Sequence, residues 1–320
     1  MNSTYSYCLP TIGALLGLAL QAGACDVCAI YTSNHAAGQA STGLYFGASE
    51  QFTSFGSLRL EGNEVANPTD QRLSSSITQA VIGYGLTERF SIQANLPYID
   101  RNFRRPEGFQ IDKGHESGIG DASVLGKFRI FEKDSGDLAI SWSALGGLKL
   151  PTGSSKRIRE ELNEVEIPGA PESGIHGHDL ALGSGSIDGV IGTDFHFRYQ
   201  RFILTASVQY SIRTEGDYEY QYANDLSWDI APGVYLLLDH DFSLALQAVV
   251  SGEKKDTDTF QGQTAGDTGI SSIYLGPRLL GTWKDKLSAE FGVDLPIRIQ
   301  NTALQSVPDF RLHAGVTWRF

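Results

Sequence analysis

Cysteine is scarce in this chain, three residues in 320, so no disulfide framework organises it. Methionine occurs once. Charged residues make up only 19%, few for the surface of an ordinary water-soluble protein, while hydrophobic residues at 41% are too many for a disordered chain. Positive charge is in deficit, with 25 Lys and Arg against 37 Asp and Glu and a net charge of -12, which argues against a nucleic-acid partner. Beyond the N-terminus there is no long apolar run, which excludes a helical membrane protein. What is plentiful is glycine, at 36 residues, together with 16 Phe, 13 Tyr and 4 Trp. Glycine and aromatics on a weakly charged, acidic background point to an all-β chain, in water or in lipid.

Residues 11–24 read TIGALLGLALQAGA, an apolar core ending in an A-x-A cleavage pattern. The run is short for a membrane span, and residues 1–10 hold no Lys or Arg. An export signal over residues 1–24 is the expectation. A periplasmic segment, 25–40, then precedes the barrel at 41–320. Cleavage after Ala24 leaves Cys25 first, as in a lipoprotein, but Ala22 stands where such junctions usually carry Leu.

From about residue 41 the chain alternates with period two. Phe90, Ile92, Ala94 and Leu96 share one face, and Ser91, Gln93 and Asn95 the other. Val124, Phe128 and Ile130 oppose Ser123, Lys127 and Arg129 in the same way. This is strand periodicity, not helical. Twelve such segments are predicted, at 42–55, 73–84, 89–104, 118–132, 137–150, 184–197, 201–214, 225–238, 242–253, 270–283, 287–300 and 308–320. Several exceed the usual strand length of soluble proteins. Their connections are predicted to alternate between tight turns and long loops, the long ones at 56–72, 105–117, 151–183, 215–224, 254–269 and 301–307. Phe90, Phe131, Phe197, Phe202, Phe242, Trp283 and Phe320 all fall near a tight turn or the terminus, as an interfacial girdle requires.

These features predict a twelve-stranded antiparallel transmembrane β-barrel of the outer-membrane type, with both termini on the periplasmic side. Unpaired backbone groups are costly in hydrocarbon, so a membrane sheet must close. The apolar face then meets outer-membrane lipid, and the polar face lines a lumen. Lys127, Arg129, Lys149, Asp188, Asp194, Arg278, Glu290, Asp294, Arg298 and Arg311 are the predicted lumen residues, with His196, Arg198, Arg213, Asp229 and His313 on the same face. A sandwich core could not bury so many charges. Lys127, Arg129 and Lys149 form a basic strip on neighbouring strands, which would favour anionic or aromatic solutes. Pro97, Pro232, Pro277 and Pro296 fall within strands and predict bulges or breaks there.

Three stretches carry a family likeness. They are YGLTERF at 84–90 leading to Leu96-Pro97-Tyr98, SGIGD at 117–121 leading to Lys127-Phe128-Arg129, and GLKLPTG at 147–153. Together they resemble the outer-membrane transporter family described as the meta-pathway of phenol degradation. The resemblance implies a channel, brings no catalytic residues and barely constrains the solute. The final Trp318-Arg319-Phe320 is similar to the terminal signature of outer-membrane barrels, which implies the β-barrel assembly machinery as a partner through Phe320.

Chemistry-bearing constellations are few. Cys25 and Cys28 form a C-x-x-C that reads as a local disulfide, a redox dithiol or, with His35, a metal site. No other cofactor is expected. His176 and His178, near Glu172 and Asp179, read as a solvated loop before a metal site. Gly118-Ile119-Gly120-Asp121 lacks the third glycine of a nucleotide-binding turn and reads as a flexible strand start at the outer rim. No G-x-S-x-G is present, and an enzyme ranks below a channel. A metal- or redox-linked barrel and a structural or adhesive barrel with a closed lumen are the other readings.

Overall fold

A computed structural model describes residues 42–163, 167–284 and 286–320. Twelve long strands run in chain order: β1 (Gly43–Leu60), β2 (Arg72–Gly85), β3 (Phe90–Glu107), β4 (Ser123–Asp134), β5 (Leu138–Lys149), β6 (Asp188–Tyr199), β7 (Phe202–Ile212), β8 (Asp225–Leu238), β9 (Phe242–Lys255), β10 (Ile270–Trp283), β11 (Leu287–Asn301) and β12 (Leu304–Arg319). Each is antiparallel to its neighbours in the chain. β12 pairs back onto β1 from Tyr45↔Arg319 to Leu60↔Leu304, so the ring of twelve strands closes on itself.

The alternation seen in the sequence becomes an outside and an inside. On β3, Phe90, Ile92, Ala94, Leu96 and Tyr98 are exposed, while Ser91, Gln93 and Asn95 are buried within the barrel. Phe90 to Tyr98 is about 20 Å of height for a tilted strand, close to the apolar band of an outer-membrane barrel. Around the tight-turn rim, Phe90, Phe131, Phe202, Phe242, Trp283 and Trp318 are exposed. Trp283 and Trp318 meet edge to face at 6.4 Å, and Phe46 and Phe320 at 5.8 Å.

Pro97, Pro232, Pro277 and Pro296 each coincide with a break or shift in pairing on one side, as residues that bring no N–H should. Pro97 lies where β3 changes partner. Below it β3 pairs with β4 up to Asn95, and above it, from Tyr98, with a further strand, Gln110–Ile119. Pro232 and Pro277 pair on one side and are skipped on the other. Pro296 sits beside a bulge in β11.

Two predicted loops depart furthest from the expectation. The 105–117 segment is largely a hairpin, formed by the top of β3 and Gln110–Ile119. Above Tyr98 the polarity of β3 inverts, with Ile99 and Phe103 buried inside and Asp100 and Asn102 on the outer face. This part of the strand projects beyond the apolar band. The 301–307 segment is a two-residue turn, with Ala303 in the left-handed region at φ 48°. The alternation of short and long connections therefore fails at its last step.

The described residues of the 150–187 connection fold into the barrel mouth at the end opposite the tight turns. It carries a 3-10 turn, Lys156–Asn163, and one short helix, Gly177–Leu180. Leu182 packs on Ile77 and Ile99, and Ile175 and Leu180 pack on Leu73 and Phe103. Inward aliphatics on the barrel wall thus receive the loop. Each fully buried large aliphatic contributes about 1.5–3 kcal/mol, enough to hold this plug in place. Residues 25–40, the predicted periplasmic segment, lie outside the described residues.

Candidate functional site

The lumen has two regions, set by where the plug stops. Toward the tight turns lies a chamber of about 750 Å³. Its wall includes Lys127, Asp194, Arg198, Tyr235, Arg278 and Glu290. Strand alternation places these side chains inward, on β4, β6, β8, β10 and β11. Lys127 Nζ lies 2.6 Å from Asp194 Oδ2, and Arg129 pairs with Glu132. Arg278 Nη2 meets Asp229 Oδ2 at 3.3 Å, and Ser207 Oγ donates to the other oxygen of Asp229 at 2.6 Å. The chamber wall therefore carries matched charge rather than a field of one sign.

Next to the chamber is a narrow cavity of about 30 Å³, which shares Arg278 and Glu290 with it. Arg311 forms a two-pronged pair with Glu253 and lies 4.4 Å from the centre of the Tyr274 ring. His313 Nδ1 is 3.6 Å from Asp294. Gly292 makes this possible, since a Cβ there would fall 2.0 Å from His313 Nε2.

The mouth is closed by a polar clasp around Lys149. This residue, 1% exposed in its side chain, places Nζ 2.6 Å from Asp121 and 2.9 Å from Asp188. Asp188 also pairs with Arg213 at 2.9 Å, and Arg213 with Asp225 at 2.7 Å. Asp121 accepts the backbone N–H groups of Gly153 and Ser184, both at 2.9 Å. Thr152 Oγ1 donates to Gly120 O and accepts from the Ala122 N–H, each at 2.8 Å. Gly153 and Gly183 are needed for this fit, because a Cβ on either would fall 2.5 Å from Leu182 O or Asp121 Oδ1 respectively.

Above the clasp, His178 is buried between carboxylates. Nδ1 is 3.0 Å from Glu161 and Nε2 is 3.4 Å from Asp179. Burial alone would lower its pKa, but Asp179 and Glu161 reverse this and push it up to about 10, so the ring is charged. Burial likewise works to raise the Asp179 pKa, and His178 and His176 overcome it, so that carboxyl is held below its usual range. The His176 ring stacks on His178 at 5.6 Å, with Nε2 3.5 Å from Asp267.

Against the sequence-stated lumen residues, the geometry is mixed. Lys127, Arg129, Asp194, Arg278 and Glu290 line the chamber, and Asp294 and Arg311 the narrow cavity. Lys149 and Asp188 do not face open lumen: they are locked in the clasp, so the basic strip is not a continuous charged lane. Arg298 is exposed on the outer side, opposite Ile273, because the bulge beside Pro296 shifts the parity of β11. The solvated-loop reading of 176–179 also fails, since His178 is 4% exposed. Cys25, Cys28 and His35 lie outside the described residues. Among the described residues, no group of three or more His, Cys, Asp or Glu is arranged to hold a metal. Asp121, from the stretch expected to be a flexible strand start, is a member of the clasp that spacing does not reveal, since its partners lie 28 to 63 residues away in sequence.

No protein-family model and no curated protein matches this sequence, so the likeness drawn from residues 84–153 has no counterpart there. Among solved structures, an outer membrane channel from Pseudomonas putida F1 is 13% identical over 88% of this chain and 97% of its own, with a TM-score of 0.60. The β domain of the Bordetella autotransporter BrkA is 8% identical over 86% and 99%, with a TM-score of 0.48. The translocator domain of the autotransporter NalP from Neisseria meningitidis is 13% identical over 91% and 93%, with a TM-score of 0.41. The first of these establishes a shared fold, the outer-membrane β-barrel.

Proposed function

We propose that this protein is an outer-membrane channel that passes small molecules through its lumen, with the 150–187 loop as the closure of its outer mouth. One observation carries the reading. Within a closed ring of twelve strands, a band of aliphatic and aromatic side chains such as Phe90, Ile92, Leu96 and Phe128 points outward, while charged and polar side chains surround a chamber of about 750 Å³. That arrangement suits lipid outside and water within. The first and last strands of the barrel then begin and end at the tight-turn, periplasmic rim, and Phe320 is presented there for the assembly machinery.

For the solute, the paired wall charges favour small polar molecules over strongly charged ones. The expectation of an anionic or aromatic solute rested on the basic strip, whose members are each paired with carboxylates. Arg198, which donates to Gly136 O at 2.6 Å, leaves a modest bias toward anions near Tyr235. The plug favours a second reading, a barrel shut for structural or adhesive use. Proteoliposome swelling distinguishes the two. The channel reading expects swelling with small sugars and amino acids that increases when residues 154–182 are replaced by a short linker. The structural reading expects none from the intact protein.

A further inference from the structure

Behind the plug lies a cavity of about 60 Å³, lined by residues of both the barrel wall and the plug. A single water needs about 10–15 Å³, so the space suits a small ion or a few waters. Its charges fall into two groups. Most are matched: Lys255 with Asp258 at 2.7 Å, Arg311 with Glu253, Asp179 with His178 and Asp267 with His176. Arg101 differs. It is 0% exposed, and among the described residues no carboxylate lies within ion-pair distance of it.

The Arg101 donors are only partly used. Nε reaches Ser75 Oγ at 3.4 Å, and Nη1 donates to the carbonyls of Asp179 and Ala181, the latter at 2.8 Å. Nη2 is buried with no partner. Ser306 Oγ, also in the cavity wall, is a second buried polar atom with no partner. A buried guanidinium lacking a counter-charge is costly, and so is each unmade hydrogen bond. A small anion in the cavity remedies both faults, since it supplies one negative charge and accepts from both groups.

We propose that this cavity is a binding site for a small monovalent anion, held by Arg101 and Ser306. The site joins wall to plug. Arg101, on β3, also holds the plug carbonyls of Asp179 and Ala181, and the Ser306 N–H, on β12, holds Gly174 O at 2.7 Å. An anion between them fastens the plug from behind.

The test uses bromide and full-length refolded protein, and it needs no transport. Crystals grown in sodium bromide are expected to show an anomalous peak in the cavity between Arg101 and Ser306, lost in Arg101→Gln. Ser306→Ala is the companion variant, because it keeps the backbone bond to Gly174 and so preserves the plug. It is expected to lower bromide occupancy, and to reduce the bromide-dependent rise in unfolding midpoint relative to wild type. Water alone in the wild-type cavity would overturn the proposal, as would a peak equally strong in both variants.

Discussion

At the scale of single residues, the plug is governed by charges that have no water to fall back on. Lys149 carries the clasp, with two carboxylates within 3 Å of its Nζ. Removing one member of such a buried set leaves the others uncompensated, which costs about 3–5 kcal/mol. Lys149→Met is therefore expected to release the plug while the barrel persists, so that limited proteolysis cuts within 150–187 in the variant and spares the wild type. A second residue-scale prediction concerns pH. His178 has a raised pKa, so its contribution is complete below 6.5 and is lost as pH rises through about 10. Asp179 has a lowered pKa, so its contribution is present above 3.8 and is lost as pH falls below that value. Protease protection of the plug should accordingly hold across the middle range and fail at both extremes. His178→Asn should narrow the window at its alkaline end.

At the scale of elements, the wall and the plug are packed as one core. Leu182 is buried against Ile77 and Ile99, so Leu182→Ala should weaken plug docking by about 2–5 kcal/mol. Hydrogen exchange at 177–186 should speed up, with β2 and β3 protection retained below Tyr98. This element also shows where sequence reading works and where it stops. Phe90 to Leu96 is legible because one face meets lipid and the other meets polar groups, so every second residue is apolar. Higher on the same strand the signal reverses, as Ile99 and Phe103 turn inward to the plug while Asp100 faces out and pairs with His115 at 2.7 Å. The predicted 89–104 span follows this strand nearly to its end, but the loop expected at 105–117 is a hairpin, because outside the apolar band no outward apolar face marks its second strand. Arg298 faces outward for a related reason: Pro296 marks a bulge in the sequence, but one extra residue there also exchanges the two faces of the strand, which the proline alone does not announce. The plug has no period at all. Its docking rests on Asp121, Gly153 and Ser184, which the fold, not their spacing, brings together.

At the scale of the whole molecule, the twelve-strand ring, its outward aromatic girdle and its charged interior are one consequence of placing a closed sheet between lipid and water. The sequence shows this ring because the constraint repeats in every strand. It does not show the closure of the mouth, which depends on a single long connection. Together, ring and connection make a wet lumen stopped at one end by the plug. Single-channel recording in planar bilayers tests it most directly, comparing the wild type with a variant in which 154–182 is replaced by a short linker. Small or rare conductance steps in the wild type and large, long-lived steps in the variant are the expected result. Membranes that remain silent with both proteins, each shown to be folded by its faster migration when unboiled, would contradict it.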